Sequence, residues 1–231
     1  RLVIALLIVS LRRLVVALLL VPLLRLLIAL LVTLVFGFVY FYFSLPAINI
    51  HSSDLYVFII LLCAGGMPFF DSLNHAMATA GTGGFGIKAD SIASYSPYIQ
   101  GVITVFMILC GINFNLYYLL LLRQWRTALR SDELWTYLGL AVVATGVIAL
   151  DLRGVYGSLG ACLGQAAFQV SSVLTTTGYA TADFDLWPGL SRAILFALLF
   201  IGGCAGSTAG GLKVSRAMIL LRTIRREINR L

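Results

Sequence analysis

The sequence predicts an all-α polytopic membrane protein in which re-entrant helices interrupt the bundle, and three observations carry that prediction. Of 231 residues, 61% are hydrophobic and only 11% charged, a balance that a water-exposed globular surface of this size does not sustain. Uncharged runs recur that are long enough to cross a bilayer core, which takes about 20 apolar residues as a helix. Two shorter apolar runs lead into loops of glycine and threonine, the pattern of a helix that enters the membrane and turns back where protein encloses it.

Residues 1–43 are Leu-rich, broken by Arg12, Arg13 and Arg25, and carry no motif; within them 26–43 is long enough to span. Residues 55–67 are apolar but too short to cross alone. If 26–43 is the first helix of the unit that follows, 44–54 lies outside the cell; if the helix begins at 55, that loop lies inside. The lack of Lys and Arg between 44 and 54 favours the first placement. Next comes a short apolar helix over 69–80, leading into Gly81, Thr82, Gly83, Gly84, Phe85 and Gly86. Residues 87–97 read as loop and 98–122 as one span. After the basic residues Arg123, Arg126 and Arg130, a span over 134–150 leads to a second short apolar helix over 158–174, which ends in Thr175, Thr176, Thr177, Gly178 and Tyr179. The run 193–212 is apolar but holds Gly202, Gly203, Gly206, Gly210 and Gly211, so it is not one smooth helix.

Both basic clusters, Arg123 to Arg130 and the set Lys213, Arg216, Arg222, Arg225, Arg226 and Arg230, belong on the cytoplasmic side. Residues 98–122 then run inward and 134–150 outward, 158–178 dips in and returns, and 193–212 runs inward again. Asp183 and Asp185 fall outside. The order helix, re-entrant helix, glycine loop, helix therefore occurs twice, in 44–130 and in 131–231, with 1–43 unplaced. The net charge of +7 is explained by these juxtamembrane arginines as topology and contact with anionic lipid, with no call for nucleic acid.

Other chemistries fit poorly. GTGGFG matches the dinucleotide pattern G-x-G-x-x-G, but a helix precedes it and a loop follows, where a Rossmann site needs a strand and then a helix. GGCAGSTAGGLK does not form the G-K-[ST] of a phosphate loop. Cys63, Cys110, Cys162 and Cys204 are dispersed in apolar segments, with only His51 and His75 as further ligands, and read as buried thiols. Neither histidine sits in an enzyme-like motif. No cofactor is expected, and the chain is not read as an enzyme.

The glycine loops suit a cation. A half-helix whose C-terminus points at the membrane middle presents about half a negative charge there. Extended backbone beyond it can replace an ion's water shell with carbonyl oxygens, and glycine permits the dihedral angles that aim them at one axis. Thr175, Thr176, Thr177 and Gly178 would supply one set, and Gly81, Thr82, Gly83 and Gly84 the equivalent set. The bland alternative is two packed turns in a helical bundle.

The stretches FFDSLNHAMATAGTGGFG, AAFQVSSVLTTTGYATADFDLWP and IGGCAGSTAGGLKVSR together resemble the second and third repeats of the TrkH/KtrB potassium-transporter superfamily, closest to its bacterial TrkH branch, over residues 55–231. The resemblance implies M1-P-M2 repeats around a pseudo-fourfold pore, of which this chain offers a part. It makes Gly84 and Gly178 the filter glycines of two repeats, potassium the substrate, and the bacterial inner membrane the location. The loop 201–211 becomes an intramembrane gate, with Gly202, Gly203, Gly206, Ser207, Thr208, Gly210 and Gly211 as its residues. The reading of these glycines as GxxxG-type helix packing stands beside it. Asn113 and Asn115 match an Asn-Phe pair that ties helices together. A cytoplasmic nucleotide-binding RCK subunit of the TrkA or KtrA type is the implied partner. Two of four filter strands imply either a longer parent chain or a homo-oligomer. Potassium against sodium, and channel-like against coupled transport, stay open, and a non-conducting membrane assembly subunit is the alternative from another class.

Overall fold

The computed structural model describes residues 55–230; the 26–43 span and the placement of 44–54 lie outside the described residues. Helix α1 is Leu55–Ala64, and α2, Phe69–Ala80, follows Pro68. Ser96 caps α3, Pro97–Cys110, by accepting from the Ile99 amide at 3.4 Å, with Pro97 in its first turn, where a missing N–H costs nothing. Helix α4 is Phe114–Leu121 and α5 is Trp125–Leu129. Ser131 caps α6, Asp132–Asp151, and α7 is the single turn Arg153–Tyr156. Ser158 caps α8, Leu159–Leu174. Helix α9, Gly189–Leu199, and α10, Val214–Ile228, complete the order. Among the described residues there is no strand, only an isolated bridge between Ile201 and Leu212. The architecture is all-α.

One core forms where α6 packs against α8 and α9. Tyr137, Ala141, Ala144 and Ile148 face inward along α6, spaced as one helical stripe, and the two alanines let α8 approach closely. The opposite face of α6 carries exposed Trp135, Val142, Val143 and Leu150. A continuous apolar face turned outward is a lipid-facing surface, and α6 is the one helix among the described residues long and apolar enough to cross a bilayer by itself. A second core forms under α1, α2 and α3 around Phe58, Leu62, Ala76, Ile103 and Met107. Phe168 and Tyr179 reach into it from the other half of the chain.

Within the run 98–122, expected as one span, α3 and α4 are bent by 90° at the break over 111–113. Asn113 Oδ1 accepts from the Asn115 amide at 2.9 Å and so caps α4, which a short polar side chain does in preference to continuing a helix. The last span is also interrupted. After α9 the chain leaves the helix until α10 begins at Val214, and because 202–210 is not helical, GxxxG-type helix packing is excluded there.

Candidate functional site

The two glycine–threonine loops are built the same way. At the end of α2, the Thr82 amide bonds the Thr79 carbonyl at 3.0 Å and the Gly83 amide the Ala78 carbonyl at 2.7 Å. At the end of α8, the Thr176 amide bonds the Val173 carbonyl at 3.0 Å and the Thr177 amide the Ser172 carbonyl at 2.9 Å. Thr82 and Thr176 have φ of 49° and 56°, and Gly84 and Gly178 have φ of 64° and 86°. Left-handed backbone is therefore found at alternate residues in both loops. Glycine adopts it freely, whereas a β-branched threonine does so only under constraint.

The loops also meet. A Cβ added to Gly84 would lie 1.8 Å from the Thr177 carbonyl oxygen, so any side chain at Gly84 would push the strands apart. Around Gly178 the same test meets nothing within 4 Å. Gly81, Gly83 and Gly178 are exposed, whereas the Thr175 and Thr177 side chains are buried. Thr175 Oγ1 lies 2.7 Å from both the Ser171 carbonyl and Thr177 Oγ1. Those hydroxyls hold the strand from its buried side.

Tyr179 locks one repeat onto the other. Its ring is buried in the second core, its carbonyl accepts from Ser172 Oγ at 2.6 Å, and its hydroxyl lies 3.2 Å from His75 Nδ1 on α2. His75 Nε2 is buried without a hydrogen-bond partner. Outside the helices, Tyr95 donates to Asp71 Oδ2 at 3.0 Å and ties the 87–97 loop to α2; desolvation, with the Asp71 bond adding, pushes its pKa up to about 12.

The glycine-rich loop lies directly against both filter candidates. Thr176 Oγ1 accepts from the Gly210 amide at 2.6 Å, and Thr82 Oγ1 lies within 3.0 Å of the Thr208 carbonyl. The loop is pinched at its neck, where the Gly202 amide bonds the Leu212 carbonyl at 2.8 Å and the Val214 amide bonds the Gly203 carbonyl at 3.2 Å. A Cβ on Gly202 would sit 1.8 Å from the Gly210 oxygen, so this glycine is required by close approach. The α3–α4 bend holds the loop from the side: the Cys204 amide bonds the Gly111 carbonyl at 2.9 Å, and the Phe114 amide the Gly206 carbonyl at 3.2 Å. The bend between α3 and α4 thus cradles the loop.

Two charged residues that sequence reasoning assigned elsewhere or overlooked complete the site. Glu133, in the first turn of α6, takes the Ala205 amide at 2.6 Å and the Ser215 amide at 3.3 Å on one carboxylate oxygen, which caps α10 and pins the loop together. Lys213, placed by its charge among the cytoplasmic bases, folds back so that its ammonium donates to the Ser207 and Ala209 carbonyls. Nothing in the local sequence marks either role. Arg222 pairs with Asp132 at 3.3 Å on the surface, which sets the start of α6 beside the middle of α10.

Comparison with known proteins gives a consistent result. The family of TrkH cation transport proteins matches over residues 10–150 and 157–231. The Trk system potassium uptake protein TrkH of Salmonella typhimurium is 37% identical over 186 residues, covering 77% of this chain and 38% of that protein. TrkI of Halomonas elongata is 39% identical over 165 residues, covering 68% of this chain and 33% of that protein. The crystal structure of the potassium transporter TrkH from Vibrio parahaemolyticus superposes with a TM-score of 0.70 at 29% identity, covering 84% of this chain and 41% of that one. The chain spans about two-fifths of the length of these relatives.

Proposed function

This chain belongs to the TrkH family of cation transport proteins, and from that premise we propose that it forms part of a potassium pathway across the bacterial inner membrane. The relatives are named as potassium uptake proteins. In this reading the carbonyls of Gly81, Thr82, Gly83 and Gly84 face those of Thr175, Thr176, Thr177 and Gly178 across an ion path. The observation that carries it is the shared backbone: left-handed residues at Thr82 and Gly84 in one loop, and at Thr176 and Gly178 in the other. A threonine held at positive φ costs on the order of 1–3 kcal/mol, and two packed turns have no need to repeat that cost at matching positions. Carbonyls aligned on one side replace the water of a dehydrated cation, and potassium is the ion written into the relatives' names.

The loop 201–211 is the gate in this proposal. It lies against both filter strands through Thr176 and Thr82. Passage of an ion requires it to move and to exchange those bonds. The reach of the cytoplasmic partner, a nucleotide-binding RCK subunit, would be toward the basic helix α10, whose start is fixed to the loop by Glu133. Rubidium uptake into liposomes carrying the purified chain, with potassium or sodium as competitor, tests the reading. Uptake blocked by potassium and lost in Gly178→Leu is expected. Equal uptake by wild type and Gly178→Leu would refute the filter assignment.

A further inference from the structure

Lys213 carries its charge to a place that the helix beside it disfavours. It immediately precedes α10, at the end of a helix whose free amides make it positive and unfavourable to a cation. Among the described residues its ammonium forms no ion pair with a carboxylate. Instead three oxygens of the glycine-rich loop converge on it: the Ser207 carbonyl at 3.3 Å, the Ser207 hydroxyl at 3.5 Å, and the Ala209 carbonyl. An ammonium has three donors and no acceptor, so this set can satisfy it. The Ser207 hydroxyl gives its own proton to the Cys204 carbonyl at 2.7 Å, which leaves its oxygen to Lys213 as an acceptor alone. The Thr82 and Thr176 side chains bond the Thr208 carbonyl and the Gly210 amide. Residues 207 to 210 are therefore held alternately by the lysine and by the two glycine–threonine loops.

Carbonyl and hydroxyl oxygens gathered around one cation are also what a potassium ion requires in place of its water. An ammonium group and a potassium ion carry the same charge and are close in size. Resting on the reading of 201–211 as a gate, we propose that the oxygens of Ser207 and Ala209 form a monovalent-cation site within the loop, which the Lys213 ammonium occupies as a tethered ion. While the ammonium is seated, the loop stays against Thr82 and Thr176, and an incoming potassium ion finds the site taken. Withdrawal of the lysine frees the same three oxygens for the ion. The exchange replaces one positive charge by another, so release of the lysine strands no acceptor.

Removing the ammonium tests the site, with the fully buried Cys204 thiol as reporter, because a neutral, membrane-permeant maleimide reaches it only when the loop is displaced. Labelling of the chain in liposomes is followed by mass spectrometry for wild type, Lys213→Met and Lys213→Ala. Each is measured in potassium chloride and in N-methylglucamine chloride of equal ionic strength. In N-methylglucamine, Cys204 of both variants is expected to label about ten-fold faster than in wild type. That is the lower end of what hydrogen bonds to a charged group contribute, since Lys213 is only half-buried. Potassium is expected to slow both variants at least about two-fold, the effect of a half-filled site, and to leave wild type unchanged. Variants that label at the wild-type rate, faster labelling that ignores potassium, or an equal potassium response in wild type would each overturn the proposal. Cys162, fully buried on α8, stays unlabelled in a folded chain, and Lys213→Ala decides the test should the methionine variant unfold. The assay measures no ion flux, so equal rubidium uptake by wild type and Gly178→Leu would refute the filter assignment and leave this result standing.

Discussion

Replacing Thr176 by valine should loosen the glycine-rich loop, by an amount the structure allows to be worked out. The substitution keeps shape and β-branching and removes the hydroxyl that accepts from the Gly210 amide at 2.6 Å. Gly210 is exposed, so water can take over that amide once the threonine oxygen is gone. The cost is then that of an ordinary net hydrogen bond, about 1 kcal/mol, rather than the larger penalty of a buried orphan. A shift of that size changes the population of the displaced loop about five-fold. Thr82→Val should do less: the Thr82 hydroxyl has one proton and two carbonyls in reach, Gly81 at 2.8 Å and Thr208 at 3.0 Å, so only part of its bond goes to the loop. Cys204 gives a direct readout, since its thiol is fully buried within the loop and a neutral, membrane-permeant maleimide reaches it only when the loop is displaced. Labelling rates followed by mass spectrometry should rise about five-fold in Thr176→Val, less than two-fold in Thr82→Val, and remain near wild type in Thr176→Ser, which keeps the hydroxyl. Cys162, fully buried on α8, should stay unlabelled in all of them, which separates loop motion from unfolding. Equal Cys204 labelling in wild type and Thr176→Val, or faster labelling in Thr176→Ser than in Thr176→Val, would refute the reasoning.

Alanine at Gly84 and at Gly178 should separate strain from clash. Gly178→Ala has room for its Cβ and suffers only from its positive φ, about 1–2 kcal/mol, whereas Gly84→Ala meets the Thr177 carbonyl and should lower the thermal midpoint by clearly more in a melting series. Glu133→Gln keeps an acceptor for the Ala205 and Ser215 amides and should cost about 1 kcal/mol, while Glu133→Ala leaves both without it and should cost about 2–3 kcal/mol; chemical denaturation in detergent checks the order. Tyr179→Phe removes the hydroxyl beside His75 at 3.2 Å and leaves a buried ring nitrogen unpaired, so a loss of about 1–3 kcal/mol is expected, with Phe85→Tyr showing no comparable loss in the same melts.

Composition alone carried the class of this protein, because a chain so apolar has to place its side chains against lipid. The glycines of the two loops were legible too, since positive φ is a local requirement that a residue type either meets or does not. The repeated sequence around Thr82 and Thr176 likewise foretold a repeated backbone. Hydropathy could not reveal the bend between α3 and α4: an apolar run reads the same whether it forms one helix or two, and Asn113 breaks it because the glycine-rich loop lies alongside to take the freed backbone groups. Lys213 and Glu133 were equally hidden, their roles being set by carbonyls and amides brought near them from distant positions. Five glycines spoke against one smooth helix, and the tertiary structure adds the contacts that the loop makes at its neck, at the bend and with the hydroxyls of Thr82 and Thr176. Short-range rules govern what one residue permits its own backbone, while the partner of a hydrogen bond is decided only when separate segments are folded against each other.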